Sequence, residues 1–221
     1  MWFGKSLPAA VLFDLDGTLI DSEPYWMKSE RALAESHGVT WSPEDGESLI
    51  GLSLTESSKI IKARIGSELE PQQIIDHLTS EVNRHLSLEI PWRPGAKEIL
   101  QMLRRKGVKT ALVTMSLRRT AEQVVDAIGF KAFDVIVAGD DVRHGKPHPE
   151  PYAKAAQLLG VRPEDCVAFE DSITGMLSAE AAGTKAVAIE NLMIIPKNEG
   201  RLFMPSLEGI KLKDLQALFK E

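Results

Sequence analysis

The sequence predicts an α/β protein: a parallel sheet covered by helices on both faces and interrupted once by an all-helical insert. Three patterns carry this expectation. A short apolar run, Val11-Leu12-Phe13, ends in two acids and a glycine; residues 22–91 show helical periodicity and no strand pattern; beyond Pro94, helix and strand alternate regularly.

The first run has the length and composition of a buried parallel strand. Asp14 and Asp16 bracket Leu15 at its carboxyl end, and Gly17 lets the chain turn. Open α/β sheets place their ligands at such strand ends, and paired acids there need a cation or a shared proton to offset their repulsion. The residue types suggest nucleophilic attack by one carboxylate and proton movement by the other, with Mg²⁺ holding the site together. A polar turn closing a strand is the plainer alternative.

The insert begins after Asp21. Ser22 is placed to cap its first helix, Pro24 suits the first turn, and Trp26, Met27, Leu33 and Ala34 follow at helical spacing until His37-Gly38. Further helices are expected around 55–65 and 71–88, and Pro91-Trp92-Arg93-Pro94 marks the return. The core is therefore assigned to 1–21 and 92–221, and the helical subdomain to 22–91.

From Ala96 the expected order is helix 96–105, strand 109–114, helix 119–128, strand 134–138, helix 151–159, strand 166–169, helix 175–182 and strand 185–189. The tail from Ile194 reads as turns at Pro196-Lys197-Asn198 and Pro205, with a closing helix over 213–219. This is a Rossmann-like, three-layer α/β/α core.

Composition narrows the partners. The 221 residues contain 26 Lys and Arg against 32 Asp and Glu, a formal charge of −6, with no long basic run, which argues against a nucleic-acid partner. Cys166, the sole cysteine, lies in an apolar run and reads as a buried structural thiol, leaving no multi-cysteine metal cluster. Lys5 precedes a few apolar residues, but Pro8 and Asp14 cut that run below signal-peptide or membrane-span length. A cytoplasmic monomer without membrane contact is expected.

Polar residues cluster immediately after the strands. The second strand ends in Thr114-Met115-Ser116, the third leads through Asp140-Asp141 to Gly145-Lys146-Pro147-His148-Pro149, and the fourth ends in Glu170-Asp171-Ser172. A parallel sheet brings these ends to one edge, where Asp14, Asp16, Thr114, Glu170 and Asp171 converge and Lys146 reaches in from its proline-stiffened loop. Plainer readings stand beside these: Thr114, Ser116 and Asp171 as helix caps, and Lys146 as an exposed loop lysine. His148 reads as structural.

In order and spacing, Asp14-Leu15-Asp16-Gly17-Thr18, Thr114, Lys146 and Glu170-Asp171 resemble the four motifs of the haloacid dehalogenase superfamily, and the insert resembles its helical cap. Within it, the chain is similar to the branch holding β-phosphoglucomutase and the sugar-phosphate phosphatases. The resemblance implies Asp14 as nucleophile and Asp16 as acid and base. It implies Thr114, Ser116 and Lys146 as phosphoryl binders. Mg²⁺ would be held by Asp14, the Asp16 carbonyl and Asp171, with Glu170 close by or ligating through water. Glu23, Trp26 and the loop holding Gly51 and Leu54 would face the substrate, a small phosphate ester. The second aspartate is a phosphotransferase feature and excludes a dehalogenase.

The resemblance thus implies a Mg²⁺-dependent phosphatase acting through an aspartyl-phosphate on a small metabolite, a sugar phosphate by expectation. A hexose-phosphate mutase is the alternative. Leu54 stands where the mutase pattern has an arginine and Trp26 where it has a histidine, and both departures count against that alternative, although Lys59 or Arg64 is available as a cap cation. A receiver-like phospho-acceptor module is disfavoured by the insert.

Overall fold

The computed structural model describes residues 7–197 and 201–219. Lys5, and Asn198 of the expected turn, lie outside them. Among the described residues, six strands form one parallel sheet in the order β3-β2-β1-β4-β5-β6, comprising β1 (Ala10–Phe13), β2 (Lys109–Val113), β3 (Val135–Val137), β4 (Cys166–Glu170), β5 (Lys185–Ile189) and β6 (Leu202–Met204). β1 lies between β2 and β4, with Phe13 in register with Leu112 and Phe169. The acids beyond β1 therefore emerge at the centre of the sheet edge, where neighbouring strands connect in opposite directions.

β1 is apolar throughout because both its faces are buried. Val11 and Phe13 join the core that continues into the insert, while Ala10 and Leu12 join a second core. That second core packs against α7 (Glu150–Leu159) and α8 (Ile173–Ala181). Phe13 stacks on Phe169 at 5.4 Å and meets Phe133 edge-on at 6.3 Å. Helices α5 (Ala96–Arg105) and α6 (Arg118–Asp126) complete the first layer, and α9 (Leu212–Ala217) is the last helix among the described residues.

Between β1 and β2 lie α1 (Glu23–Ser36), α2 (Pro43–Glu47), α3 (Leu54–Ile65) and α4 (Pro71–Leu88). α3 is framed by its own sequence: Ser53 and Glu56 form a reciprocal capping box, and Gly66 ends the helix in the left-handed conformation. α4 buries Ile74, Ile75, Leu78, Val82 and Leu86 and packs on α1 and α3. The insert joins the core through two hydrogen-bonded crossings, with the Asp21 amide donating to Pro91 O (2.8 Å) and the Arg93 amide to Leu19 O (2.9 Å).

Four sequence expectations need correction. Ser22 makes no side-chain cap for α1, because its hydroxyl is committed to Asp16. α2 is not expected from the sequence, nor is β6, a half-buried strand of three residues with too little length to show alternation. The closing helix spans Leu212–Ala217 rather than 213–219. Cys166 is buried, and burial pushes its thiol up to about 11. No helix among the described residues is long and apolar enough to cross a membrane.

Candidate active site

Asp14, one residue beyond β1, is held by its amide to Phe169 O (3.0 Å) and is almost fully buried. Lys146 reaches it from the loop before α7. Its ammonium donates to Asp14 Oδ1 (2.6 Å), Glu170 Oε1 (2.5 Å) and Val113 O (2.9 Å), so it is a committed, buried cation and not an exposed loop lysine. Burial alone would lower the Lys146 pKa; Asp14 and Glu170 outweigh it and raise the group above its ordinary value.

One ammonium does not balance the acids. Ligand oxygens of Asp14, Glu170 and Asp171 all lie within 4.8 Å of one another. Burial, more than it is offset by Lys146, raises Asp14 well above the carboxylate range, and Glu170, Asp171 and Asp16 add to this. Burial and then Glu170 push Asp171 up to about 7. A buried all-oxygen set with uncompensated charge fits a hard divalent cation.

Asp16, two residues beyond Asp14, collects hydroxyl and indole donors: Ser22 Oγ (2.5 Å) and Trp26 Nε1 (3.5 Å) on Oδ1, Ser116 Oγ (2.7 Å) and Thr114 Oγ1 (3.2 Å) on Oδ2. Neither Thr114 nor Ser116 is the residue at the cap of α6, which is Leu117. Asp171 is not a cap either, since Ser172 accepts from the Gly175 amide at the start of α8.

Glycines make this packing possible. A β-carbon on Gly17, whose φ is +81°, would lie 1.9 Å from Asp171 Oδ2, and one on Gly175 would lie 1.9 Å from Glu170 Oε2.

A cavity of about 130 Å³ opens between core and insert. Asp14, Asp16, Ser116, Lys146 and Asp171 line its floor; Glu23, Trp26, Gly51 and Leu54 line its roof. Thr114 and Glu170 are absent from the described lining. Both are buried behind it, and Thr114 meets the cavity through Asp16 and through the Ser116 amide, which donates to its hydroxyl (3.0 Å). Burial, then Asp16 and Asp171, raise Glu23 to about 8. Asp140 and Asp141 stay outside the site, tied to Arg118.

Several contributing residues are given no role by the sequence. Tyr152 donates to Glu170 Oε1 (2.5 Å), and Asn191 Nδ2 to Asp171 Oδ2 (2.7 Å). Arg93 holds Asn191 Oδ1 (2.5 Å) and Glu190 O (2.7 Å), and Thr18 donates to Asp171 Oδ1 (3.3 Å). Glu30 also lines the roof. Arg93 and Tyr152 carry a signal in their neighbours, a proline-flanked return to the core and the helix after a stiff lysine loop. Asn191 and Glu30 carry none.

Acids, one buried ammonium and short hydroxyls gathered at the edge of a parallel sheet, beneath a helical roof, define an enzyme that handles a phosphoryl group. The chain belongs to the haloacid dehalogenase-like hydrolases, whose family profile matches residues 8–183. It is similar to the phosphorylated carbohydrates phosphatase of Thermotoga maritima, 33% identical over 80% of this chain and 83% of that one. It also resembles hexitol phosphatase A of Escherichia coli, 32% identical over 90% of this chain and 91% of that one. Among solved structures, CbbY from Rhodobacter sphaeroides in complex with phosphate superposes with a TM-score of 0.81 at 26% identity, covering 92% of this chain and 96% of that one. β-Phosphoglucomutase from Clostridium difficile superposes with a TM-score of 0.79 at 26% identity, covering 95% and 96%. The chain is accordingly a phosphatase of this family.

Proposed function

We propose that the protein is a Mg²⁺-dependent phosphatase of small phosphorylated metabolites, sugar phosphates in particular, and that residues 22–91 act as its substrate-selecting cap. The observation that carries this reading is the placement of Asp14, Asp16, Lys146 and Asp171 on the floor of one cavity roofed by the insert. Similarity to the Thermotoga and Escherichia carbohydrate phosphatases supports the substrate class.

In this reading a carboxylate oxygen of Asp14 attacks phosphorus, the ester P–O bond breaks, and Asp16 gives a proton to the leaving oxygen. Asp16 then takes a proton from the water that attacks the aspartyl-phosphate, releasing inorganic phosphate and restoring Asp14. Lys146 and Ser116 hold phosphoryl oxygens, with Thr114 behind them, bonded to Asp16 and to the Ser116 amide. Asp14, the Asp16 carbonyl and Asp171 would hold Mg²⁺, with Glu170 behind them orienting Lys146 and Tyr152. The ion supplies charge neutralisation to the transferring group. The cap residues Glu23, Trp26, Gly51 and Leu54 shape the remainder of the pocket and exclude bulk water.

The mutase alternative asks for a cap cation to hold a second phosphate. Lys146 is the only cation among the described residues lining the cavity, and Arg64 is tied to Asp45 and to Thr40 O. The expected outcome is Mg²⁺-dependent phosphate release from hexose 6-phosphates, reduced at least about a thousandfold by Asp14→Asn. Efficient conversion of β-glucose 1-phosphate to glucose 6-phosphate with a bisphosphate activator, without phosphate release, would reverse the choice.

A further inference from the structure

The face that α1 turns to the cavity consists of Glu23, Trp26 and Glu30. Trp26 is tied to Asp16, and Glu23 feels Asp16 and Asp171 ahead of Glu30, so these two belong to the phosphoryl end. Glu30 stands seven residues beyond Glu23, about 10 Å further along the helix axis. It is 6% exposed, and its Oε2 is buried with no hydrogen-bond partner. Burial raises its pKa to about 7, with no neighbouring charge among the causes.

A buried carboxyl oxygen without a partner weakens the fold unless something else satisfies it. Here it borders a cavity, so a group entering the cavity can supply the partner. The surrounding roof restricts what that ligand carries. Leu49, Ile50, Leu54 and Leu78 are apolar, Ser53 and Ser57 add hydroxyls but no charge, and the one cation among the described lining residues, Lys146, is committed to Asp14 and Glu170. A second phosphate or a carboxylate placed near Glu30 would meet a carboxyl group and no counter-charge. A hydroxyl satisfies either protonation state of Glu30, as donor to the carboxylate or acceptor from the acid.

We propose that Glu30 is a specificity-determining residue whose free carboxyl oxygen hydrogen-bonds a hydroxyl at the end of the substrate remote from the phosphate, selecting polyhydroxylated monophosphates over esters with an apolar or anionic far end. This rests on the reading of the protein as a phosphatase. It adds the chemical class recognised deep in the cap and the side chain that recognises it.

The test compares kcat/KM for a hexitol 6-phosphate and for hexyl phosphate, which has the same carbon chain without the hydroxyls, in wild type, Glu30→Gln and Glu30→Leu. The preference for the hexitol ester is expected to fall at least about tenfold in Glu30→Leu and by less in Glu30→Gln, whose amide still pairs with a hydroxyl. A preference within twofold of wild type in both variants would overturn the proposal. So would a more than tenfold preference of the wild type for an amino-sugar phosphate over its hydroxyl counterpart, which would make the ligand an ammonium. Calorimetric binding of the same two esters to Asp14→Asn, with and without Glu30→Leu, separates the two readings. Loss of the binding preference in the double variant, with no turnover of any ester by the wild type, would uphold Glu30 and strike the phosphatase reading. Phosphate release with unchanged preference would strike Glu30 alone.

Discussion

Asp171 and Glu30 are both buried carboxyl groups raised to about 7, for different reasons, and the difference is measurable. Asp171 is crowded by Glu170 as well as buried, although Asn191 bonds it. Replacing it by Asn removes one of three neighbouring acids, so the metal-free protein at pH 8 is expected to gain at least about 1 kcal/mol, or 2–4 °C in Tm. Its Mg²⁺ affinity should fall in the same titration series; unchanged affinity would remove Asp171 from the ligand set. Glu30 is raised by burial, and its charge in turn helps to raise Glu23. A carboxyl group whose folded pKa exceeds its unfolded value binds protons more tightly when folded, so its contribution is present below pH 4.5 and is lost as pH rises through about 7. Glu30→Gln is therefore expected to flatten the decline of Tm between those values, recovering up to about 3 kcal/mol at pH 8. A parallel pH profile for variant and wild type would contradict this placement of the charge.

At the scale of elements, strand ends were legible because both faces of the sheet are covered. Uninterrupted apolar runs such as 10–13 and 166–169 stop where the chain leaves the sheet, and the polar residues after each run fall on one edge. α2 was obscured because Ser42-Pro43-Glu44-Asp45-Gly46 is turn chemistry and helix-start chemistry at once, and its capping box closes a helix of only five residues. The supports of the site were illegible for another reason. Asn191 lies 98 positions from Arg93 and 20 from Asp171, and nothing local in the chain announces that the three meet. The start of α8 offers a test at this scale. Gly175 leaves room for the Glu170 carboxyl group, and a β-carbon there would fall 2.0 Å from Glu170 Cδ. Gly175→Ala is expected to displace Glu170, loosening both Lys146 and Tyr152. Stability should fall by about 1–3 kcal/mol and kcat/KM by at least about tenfold. Tm and steady-state rates measured together check this, and wild-type rates in a destabilised variant would assign Glu170 to packing alone.

Across the whole molecule, the proposed chemistry and the proposed selection fall to different stretches of chain. The floor of the cavity belongs to the sheet edge and the roof to residues between the two crossings. Replacing 22–91 with the matching segment of hexitol phosphatase A is expected to shift the ranking of esters by kcat/KM while Mg²⁺-dependent turnover persists; an unchanged ranking would show that the roof does not choose. The crossings themselves determine how such a roof travels. A single connecting strand swivels freely about its backbone bonds, whereas two strands held side by side by Asp21–Pro91 and Arg93–Leu19 hydrogen bonds, with Ile20 bridged to Trp92, behave as a flexure. Such a ribbon bends across its flat side and resists twisting, so the two crossings restrict the roof to fewer directions of movement than one connection would. Arg93 belongs to that ribbon and also grips Asn191, which holds Asp171. The crossing is thereby tied by two hydrogen bonds to the acid on the cavity floor.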